Sequence, residues 1–294
     1  MDDLIRLAAF DWLEKQSLIH DEVFPRELLT NGFHYKGQII SLVGPKGIWK
    51  PKACKYPISI TTIADSPYKD TFTKDNFLMY KYRGINPLHP DNVGVRELWR
   101  NNLPLIYFHG IIKGKYIAAW PVYIIADDMK NLTFTAALEE SKMMTEDVVN
   151  EEPADYYRRS YLTSSIKVRL HQRSFRERVL IAYRNQCAFC RLKHVELLDA
   201  AHITPDNSSG GEPVVQNGLS LCKIHHAAYD KHILGITPDY IIKVRHDILE
   251  ETDGPMLKYG LQYLQNRVIE LPRNERDYPD KARLDERYSH FKSA

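Results

Sequence analysis

Two pairs of potential metal ligands constrain the C-terminal half of this chain more than any other feature. Cys187 and Cys190 form one pair, and Cys222 and His225 form a second pair thirty-two residues further on. This is the ligand spacing of a tetrahedral structural zinc site, in which thiolates and an imidazole occupy all four positions. The pattern therefore predicts a structural Zn²⁺ on these residues, with His194 as a competing fourth ligand and ordinary buried thiols as the alternative.

The chain has 294 residues and four cysteines, three of them in this cluster. That usage favours a reducing compartment and a metal site over a disulfide scaffold. The start, MDDLIRLAAFDWLEKQ, lacks the basic region and long apolar run of a signal peptide. No window is apolar enough to cross a membrane. We expect a cytoplasmic protein with room for two domains and no membrane contact.

His226 directly follows the zinc-type pair and indicates a different kind of site. On a helix it would share one face with Asp230, four residues later. An imidazole and a carboxylate at this spacing suit Mg²⁺, Mn²⁺ or another divalent ion that keeps positions open for substrate. A surface histidine is the ordinary interpretation of His226 alone. Upstream, however, LLDAAHITP places His202 late in an apolar strand, where a histidine needs a reason.

His202, Asn217 and His226 follow one another in the order His, Asn, His around two strands and a helix. Over about residues 175–236 the chain resembles the HNH nuclease family, which has the ββα-metal fold. The resemblance implies that His202 is the general base that activates water and that Asn217 orients its imidazole by a hydrogen bond. It also implies that His226 and Asp230 hold the catalytic ion.

One position departs from this family pattern. The residue before the first His is usually an Asp or His that binds metal, whereas this chain has Ala201. Asp199 lies two residues earlier and therefore on the same strand face. We expect Asp199 to replace the missing ligand, directly or through water.

Basic residues are concentrated between positions 158 and 193, where ten Arg and Lys accompany the single acid Glu177. Such a block is typical of a surface that contacts DNA phosphates, although a solvated helix face explains it equally well. The candidate phosphate contacts are Arg169, Arg173, Arg176 and Arg178.

The first 140 residues have a different pattern. After a predicted helix over residues 1–20, six short runs rich in Ile, Val, Tyr and Phe lie between about residues 37 and 134, with one helix near 93–101. Short strands with little helix between them favour a closed or strongly curved sheet. An acidic stretch containing Pro153 then indicates a linker. The expected fold is α+β, with domains at 1–144 and 173–294, a linker at 145–172, and further helices at 174–186 and 255–270.

The string SPYKDTFTKDNFLMYKYRG puts Tyr68 and Asp70 just ahead of a strand that carries Tyr80 and Tyr82. With the following PDNVGVRELWRNNLPLIYFHG and KYIAAWPVYII, this order is similar to the SRA domain, a modified-cytosine reader of the PUA-like barrel class. The resemblance implies that a flipped base stacks on Tyr68 and Tyr82, with Tyr80 as an alternative, and that Asp70 accepts from its exocyclic amine. Tyrosines that only pack the sheet are the competing interpretation.

Together these patterns predict a modification-dependent restriction endonuclease that recognises 5-methyl- or 5-hydroxymethylcytosine in double-stranded DNA and hydrolyses nearby phosphodiester bonds. Since one such site cuts one strand, we expect a homodimer. Two alternatives remain open at this point. The N-terminal domain could read another mark, such as a phosphorothioate, or a plain sequence. The chain could also be a non-catalytic zinc-stapled DNA-binding protein.

Overall fold

The computed structural model describes residues 2–63, 71–72, 77–138 and 171–294. It divides into two compact units, residues 1–170 and 171–294. The predicted linker, 145–172, lies outside the described residues except at positions 171 and 172, so the exact domain limits stay a prediction. None of the helices in the described ranges is both long enough and apolar enough to pass through a bilayer.

The N-terminal unit is built on an eight-stranded sheet that curls into a half-barrel. The strands of this unit are β1 (Val23–Pro25), β2 (Phe33–Tyr35), β3 (Gln38–Ile40), β4 (Ile48–Trp49), β5 (Ser59–Thr62), β6 (Thr71–Phe72), β7 (Leu78–Lys81), β8 (Leu105–Ile112), β9 (Lys115–Asp128) and β10 (Thr133–Leu138). The strand order in the sheet is β4-β5-β8-β9-β10-β7-β6, β1 pairs with β9, and β5–β8 is the one parallel pairing within this described sheet. A separate hairpin joins β2 to β3.

Helices cover both faces of this sheet, which explains why β8 is apolar at nearly every position. Ile106 and Phe108 pack in a core shared with α1 (Asp2–Ile19) and α2 (Arg26–Asn31). Leu105 and Tyr107 point into the second core, which includes α3 (Pro90–Arg100). A strand buried on both faces loses the apolar–polar alternation of a half-exposed one. The six predicted strand runs and the helix near 93–101 are confirmed.

The C-terminal unit has a ββα core. β11 (Leu198–His202) pairs antiparallel with β12 (Gly218–Cys222), which runs directly into α5 (Lys223–Asp230). The helical residues 171–182, here α4, pack closely on this hairpin, since a Cβ on Gly218 would lie 2.4 Å from Val179. The remaining elements are β13 (Leu234–Ile236), β14 (Ile242–Val244), α6 (His246–Glu250), α7 (Pro255–Gly260) and α8 (Lys281–Ser293).

Two predicted helix limits are wrong. The helix expected over 174–186 ends at residue 182, because Arg184 and Asn185 adopt left-handed backbone conformations that a helix cannot contain. The helix expected over 255–270 ends at Gly260; a single 3₁₀ turn follows, and Val268 then forms a β-bridge with Ile241. The long helix of the tail is α8 instead.

Candidate metal centre and nuclease site

Three cysteines and one histidine meet beside the ββα core. The ligand atoms of Cys187, Cys190, Cys222 and His225 all lie within 4.8 Å of one another. Cys222 ends β12 and His225 lies in the first turn of α5, while the cysteine pair follows α4. This Cys₃His donor set suits Zn²⁺, and four ligands leave a tetrahedral ion with no open position. His194 is not a member of the cluster.

The orientation of His225 fits a metal ligand. Its Nδ1 lies 3.2 Å from the Sγ of Cys222 and 3.4 Å from the Sγ of Cys187. Its Nε2 lies 2.8 Å from the carbonyl oxygen of Gly260, to which it donates. A histidine that donates from one ring nitrogen to a carbonyl presents the other as a free donor to a metal. Hydrogen bonds from the neighbouring thiols also hold the pKa of Cys222 well below its usual value, which favours the ligating thiolate.

A second polar group faces a cavity of about 330 Å³ in the same unit. Nε2 of His226 lies 3.3 Å from Oδ2 of Asp230, one turn later on α5, and its Nδ1 lies 3.7 Å from Oδ2 of Asp199 on β11. The hydrogen bond to Asp230 raises the pKa of His226, and the same contact lowers the pKa of Asp230. One imidazole and two carboxylates thus converge from a helix and a strand. The cavity is lined by Gln172, Arg173, Phe175, Arg176, Asp199, Ala200, His202, Asp206 and His226.

His202 ends β11 and is held by stacking. Its ring lies 4.1 Å from the ring of Phe175 on α4, with an interplanar angle of 20°. Its Nε2 is buried and has no hydrogen-bond partner in the described part of the chain. Burial lowers the pKa of His202, and the nearby Asp206 offsets this only in part. A buried, unpartnered and neutral imidazole nitrogen beside a cavity can accept a proton from a molecule bound there.

The predicted hydrogen bond from Asn217 to the imidazole of His202 is wrong. The Oδ1 of Asn217 accepts from the Thr204 amide at 2.8 Å. Its Nδ2 donates to the carbonyls of Thr204 at 3.0 Å and Glu212 at 3.1 Å. Because Asn217 is fully buried and its amide is engaged in these three bonds, it fixes the loop that follows His202 rather than the ring itself.

The N-terminal unit contains a separate cavity of about 400 Å³, lined in part by Tyr80 and Tyr82. A Cβ on Gly47 would lie 2.9 Å from the Tyr80 hydroxyl, so glycine allows the backbone to approach this ring. Tyr82 is committed to the interior: its ring stacks on Phe134 at 4.4 Å, and its hydroxyl donates to Asp127. Burial, with that hydrogen bond, raises the pKa of Tyr82 to about 12. The predicted pocket residues Tyr68 and Asp70 lie outside the described residues.

The HNH_2 family model, described as HNH endonuclease, matches residues 187–237. This range contains the Cys₃His cluster, His202, Asn217 and the His226–Asp230 pair. Residues 187–237 form an HNH endonuclease domain. The chain is therefore a metal-dependent DNA endonuclease.

Three solved structures are similar to the chain at low identity. The "Modification dependent TagI restriction endonuclease" is 14% identical, with 80% of this chain and 81% of that chain covered and a TM-score of 0.29. The "SUVH5 SRA- methylated CHH DNA complex" is 19% identical, with 37% of this chain and 84% of that chain covered and a TM-score of 0.23. The "Type IV phosphorothioation-dependent restriction endonuclease ScoMcrA" is 14% identical, with 79% of this chain and 57% of that chain covered and a TM-score of 0.22. At such low TM-scores the likeness by itself assigns nothing to this chain. None of the curated proteins compared with it matches.

The predicted phosphate contacts differ in their surroundings. Arg173 and Arg176 line the cavity of about 330 Å³ beside His202 and His226, which is called the HNH cleft from here on. Nε of Arg176 lies 3.7 Å from Asp199. Arg178 instead donates to the carbonyl of Pro213 at 2.8 Å, a contact inside the unit that does not fit binding to phosphate. Arg169 lies outside the described residues.

Asp206 also lines the HNH cleft but was not among the residues expected from the sequence. It lies four residues beyond His202, directly after Pro205, in the loop that leaves β11. Its position just past the end of the strand that carries the candidate base His202 is the sequence feature that could have identified it.

Proposed function

We propose that this protein is a modification-dependent restriction endonuclease that recognises 5-methyl- or 5-hydroxymethylcytosine in double-stranded DNA. The observation that supports the catalytic part most directly is the convergence of His202, Asp199 and His226 on one cleft of the HNH domain. The observation that supports the recognition part is the tyrosine-lined cavity of the N-terminal unit.

In the cleft, His202 is the general base. Its unpartnered Nε2 takes a proton from the attacking water, and its lowered pKa keeps the ring neutral near physiological pH. The ring of Phe175 fixes the plane of the imidazole, since the two rings stack. Asn217 acts one step away by holding the loop at Thr204, so that the end of β11 keeps its position.

His226, Asp230 and Asp199 would hold a Mg²⁺, Mn²⁺ or other divalent ion, since their imidazole and carboxylate groups suit such ions. When bound, the ion neutralises charge on the scissile phosphate and on its leaving oxygen. Arg173 and Arg176 at the cleft add positive charge that attracts the phosphate backbone. The four residues of the Cys₃His cluster would hold Zn²⁺ for folding.

For recognition, the modified base leaves the DNA stack and enters the N-terminal cavity. A volume of about 400 Å³ lies within the usual range of small-ligand pockets, roughly 300–1,000 Å³. Tyr80 and Tyr82 supply aromatic surface for the base, with Tyr80 favoured because Tyr82 already uses one ring face on Phe134. Tyr68 and Asp70, which lie outside the described residues, stay predicted partners of the base.

The decisive experiment compares plasmids that carry cytosine, 5-methylcytosine or 5-hydroxymethylcytosine, incubated with the full-length protein and Mg²⁺ or Mn²⁺. We expect cutting of one or both modified plasmids and none of the unmodified one. His202→Ala should abolish cutting while preserving DNA binding. Equal cutting of all three plasmids would contradict recognition of modified cytosine and favour a plain-sequence reader.

A phosphorothioate-containing plasmid tests the other mark in the same assay. Cutting of that plasmid alone would mean that the N-terminal unit recognises a modified backbone rather than a modified cytosine. Unchanged activity of His202→Ala would contradict its role as base.

Sedimentation of the DNA-bound protein tests the proposed homodimer. Double-strand cleavage by a nuclease with one site per chain requires a dimer unless two binding events occur in succession.

A further inference from the structure

The C-terminal helix α8 lies outside the matched range 187–237, yet it contacts α5, which carries His226, and the loop between β11 and β12. Leu284 and Phe291 on α8 are buried, and Phe291 packs against Gly235 of β13. Arg287 lies between them on the same helical face, because positions three and four residues apart on a helix are neighbours. This face therefore places an arginine where an apolar side chain would be expected.

Arg287 is only 15% exposed, and its Nε is buried without a hydrogen-bond partner among the described residues. Its guanidinium carbon lies 4.8 Å above the ring of Tyr229. Burying a guanidinium costs free energy unless a partner compensates it. The partners are the carbonyl oxygen of Tyr229 at 3.3 Å and the carboxylate of Asp230, whose Oδ1 lies 3.4 Å from the same Nη2.

Each of the two carboxylate oxygens of Asp230 thus has a partner of its own, a guanidinium for one and an imidazole for the other. Oδ1 faces Arg287, whereas Oδ2 faces Nε2 of His226 at 3.3 Å. Asp230 itself is 53% exposed, so few other contacts restrict its rotation. A donor on Oδ1 fixes the carboxylate so that Oδ2 stays directed at His226, which lines the cleft.

The anchorage of α8 at its first turn makes this contact more rigid. Asp280 caps the helix by accepting from the Arg283 amide at 2.9 Å. The guanidinium of Arg283 donates to the carbonyl of Gly210 and to the carboxylate of Glu212, the latter at 2.8 Å. These contacts hold the β11–β12 loop, which also contains Asp206. One helix therefore contacts both the loop and α5.

We propose that Arg287 is a positioning residue that orients the Asp230 carboxylate for the divalent ion, and that α8 is consequently part of the functional nuclease unit. This inference rests on the proposed ion site of His226, Asp230 and Asp199. Partners that orient metal ligands in this way typically change metal affinity or activity about 10–100-fold when they are removed.

The test measures Mn²⁺ affinity by calorimetry on the full-length protein, together with the thermal unfolding midpoint and the cleavage rate. Arg287→Met keeps the bulk of the side chain and removes its donors. We expect it to fold, to bind Mn²⁺ about 10–100-fold more weakly and to cleave more slowly. Arg287→Lys should recover part of the affinity. Lys292→Met, which removes an exposed charge from the same helix, should change neither the Mn²⁺ affinity nor the cleavage rate.

A double variant separates positioning from general support of the fold. If Arg287 acts through Asp230, then Arg287→Met should have no further effect on Mn²⁺ affinity in the Asp230→Asn background. An additional loss in that background would overturn the proposal, as would unchanged or tighter Mn²⁺ binding by Arg287→Met alone. Absence of Mn²⁺ binding by the wild-type protein would overturn the ion site itself, and the role of Arg287 with it. That outcome is distinct from failure of Arg287 alone.

Discussion

His225 and His226 are neighbours on α5, yet one imidazole faces three thiols and the other faces two carboxylates. His225 is 3% exposed and directs Nδ1 at two cysteine sulfurs. The side chain of His226 is 27% exposed and borders an open cavity. A helix rotates by about 100° per residue, because 3.6 residues form a turn, so adjacent side chains face different surroundings.

One short helix can therefore contribute ligands to a structural metal site and to a catalytic one. The soft, closed donor set suits an ion that stays in place and has no room for substrate. The harder and more exposed set suits an ion that must share its positions with a phosphate. Removing the first set should therefore affect stability, and removing the second should affect cleavage.

The largest expected effect comes from losing zinc. Structural zinc contributes roughly 10 kcal/mol or more of apparent folding free energy in small zinc domains. A zinc chelator, or Cys222→Ser, should therefore unfold residues 171–294 and abolish cleavage. Circular dichroism and zinc content measured on the same samples check this. Cys54→Ser, which changes a buried thiol of the other unit, should keep both the zinc and the activity. A fully folded zinc-free protein would contradict a folding role for the cluster.

The two adjacent histidines provide the most direct comparison of the sites. His225→Ala should lower the thermal midpoint and the zinc content, since it removes a ligand of the closed site. His226→Ala should keep both and should lower the cleavage rate by more than the roughly 10–100-fold typical of outer partners. Thermal unfolding, metal analysis and plasmid cleavage distinguish the two variants. If both variants lose zinc equally, the division between the two sites is wrong.

The sequence predicted the first of these sites more completely than the second. The spacing of two pairs predicts all four residues of the zinc-type cluster, because the two members of each pair are only three positions apart in the sequence. The open site depends on residues that approach from distant elements. Phe175 comes from α4, Asp206 from a loop and Arg287 from α8, and their tertiary contacts have no periodic signal in the sequence.

The same distinction holds for the fold. The content of Ile, Val, Tyr and Phe located six strands of the N-terminal unit, because those residues fit pleated, buried surfaces. The pairing of β5 with β8 in parallel depends on contacts far apart in sequence and was not predicted. Helix ends were misplaced where Arg184 and Asn185 adopt positive φ, a conformation that side-chain type alone does not specify.

Asn217 tests whether the open site depends on its loop. Asn217→Ala would leave the amide and carbonyl of Thr204 and the carbonyl of Glu212 without their partner. Losing buried hydrogen bonds of this kind should cost roughly 2–4 kcal/mol in the free energy of unfolding, at about 1 kcal/mol or more for each bond. Denaturant unfolding measures this, and zinc content should not change. Asn217→Asp keeps the acceptor for the Thr204 amide but sets a buried carboxylate oxygen against the carbonyls of Thr204 and Glu212, so it should be at least as destabilised as Asn217→Ala. A variant with wild-type stability but no cleavage would contradict the loop role.

The smallest expected effect is a shift in the pH profile of cleavage. Burial lowers the pKa of His202, so the neutral base should persist below the ordinary histidine range near pH 6.5. At saturating metal, the cleavage rate should be flat above the His202 pKa and fall about tenfold per pH unit below it. Saturation is needed because the raised pKa of His226 makes protons compete with the ion.

The variant Asp206→Asn tests independently whether the cleavage profile follows the pKa of His202. The negative charge of Asp206 raises the pKa of His202, opposing burial. Asp206→Asn should therefore lower this pKa further, since the protonated ring loses a favourable neighbour, and the break in the profile should move to lower pH. The position of the break, rather than the absolute rate, is the quantity to compare, because Asp206 lines the same cleft. A break that moves to higher pH in this variant would mean that another group limits the reaction.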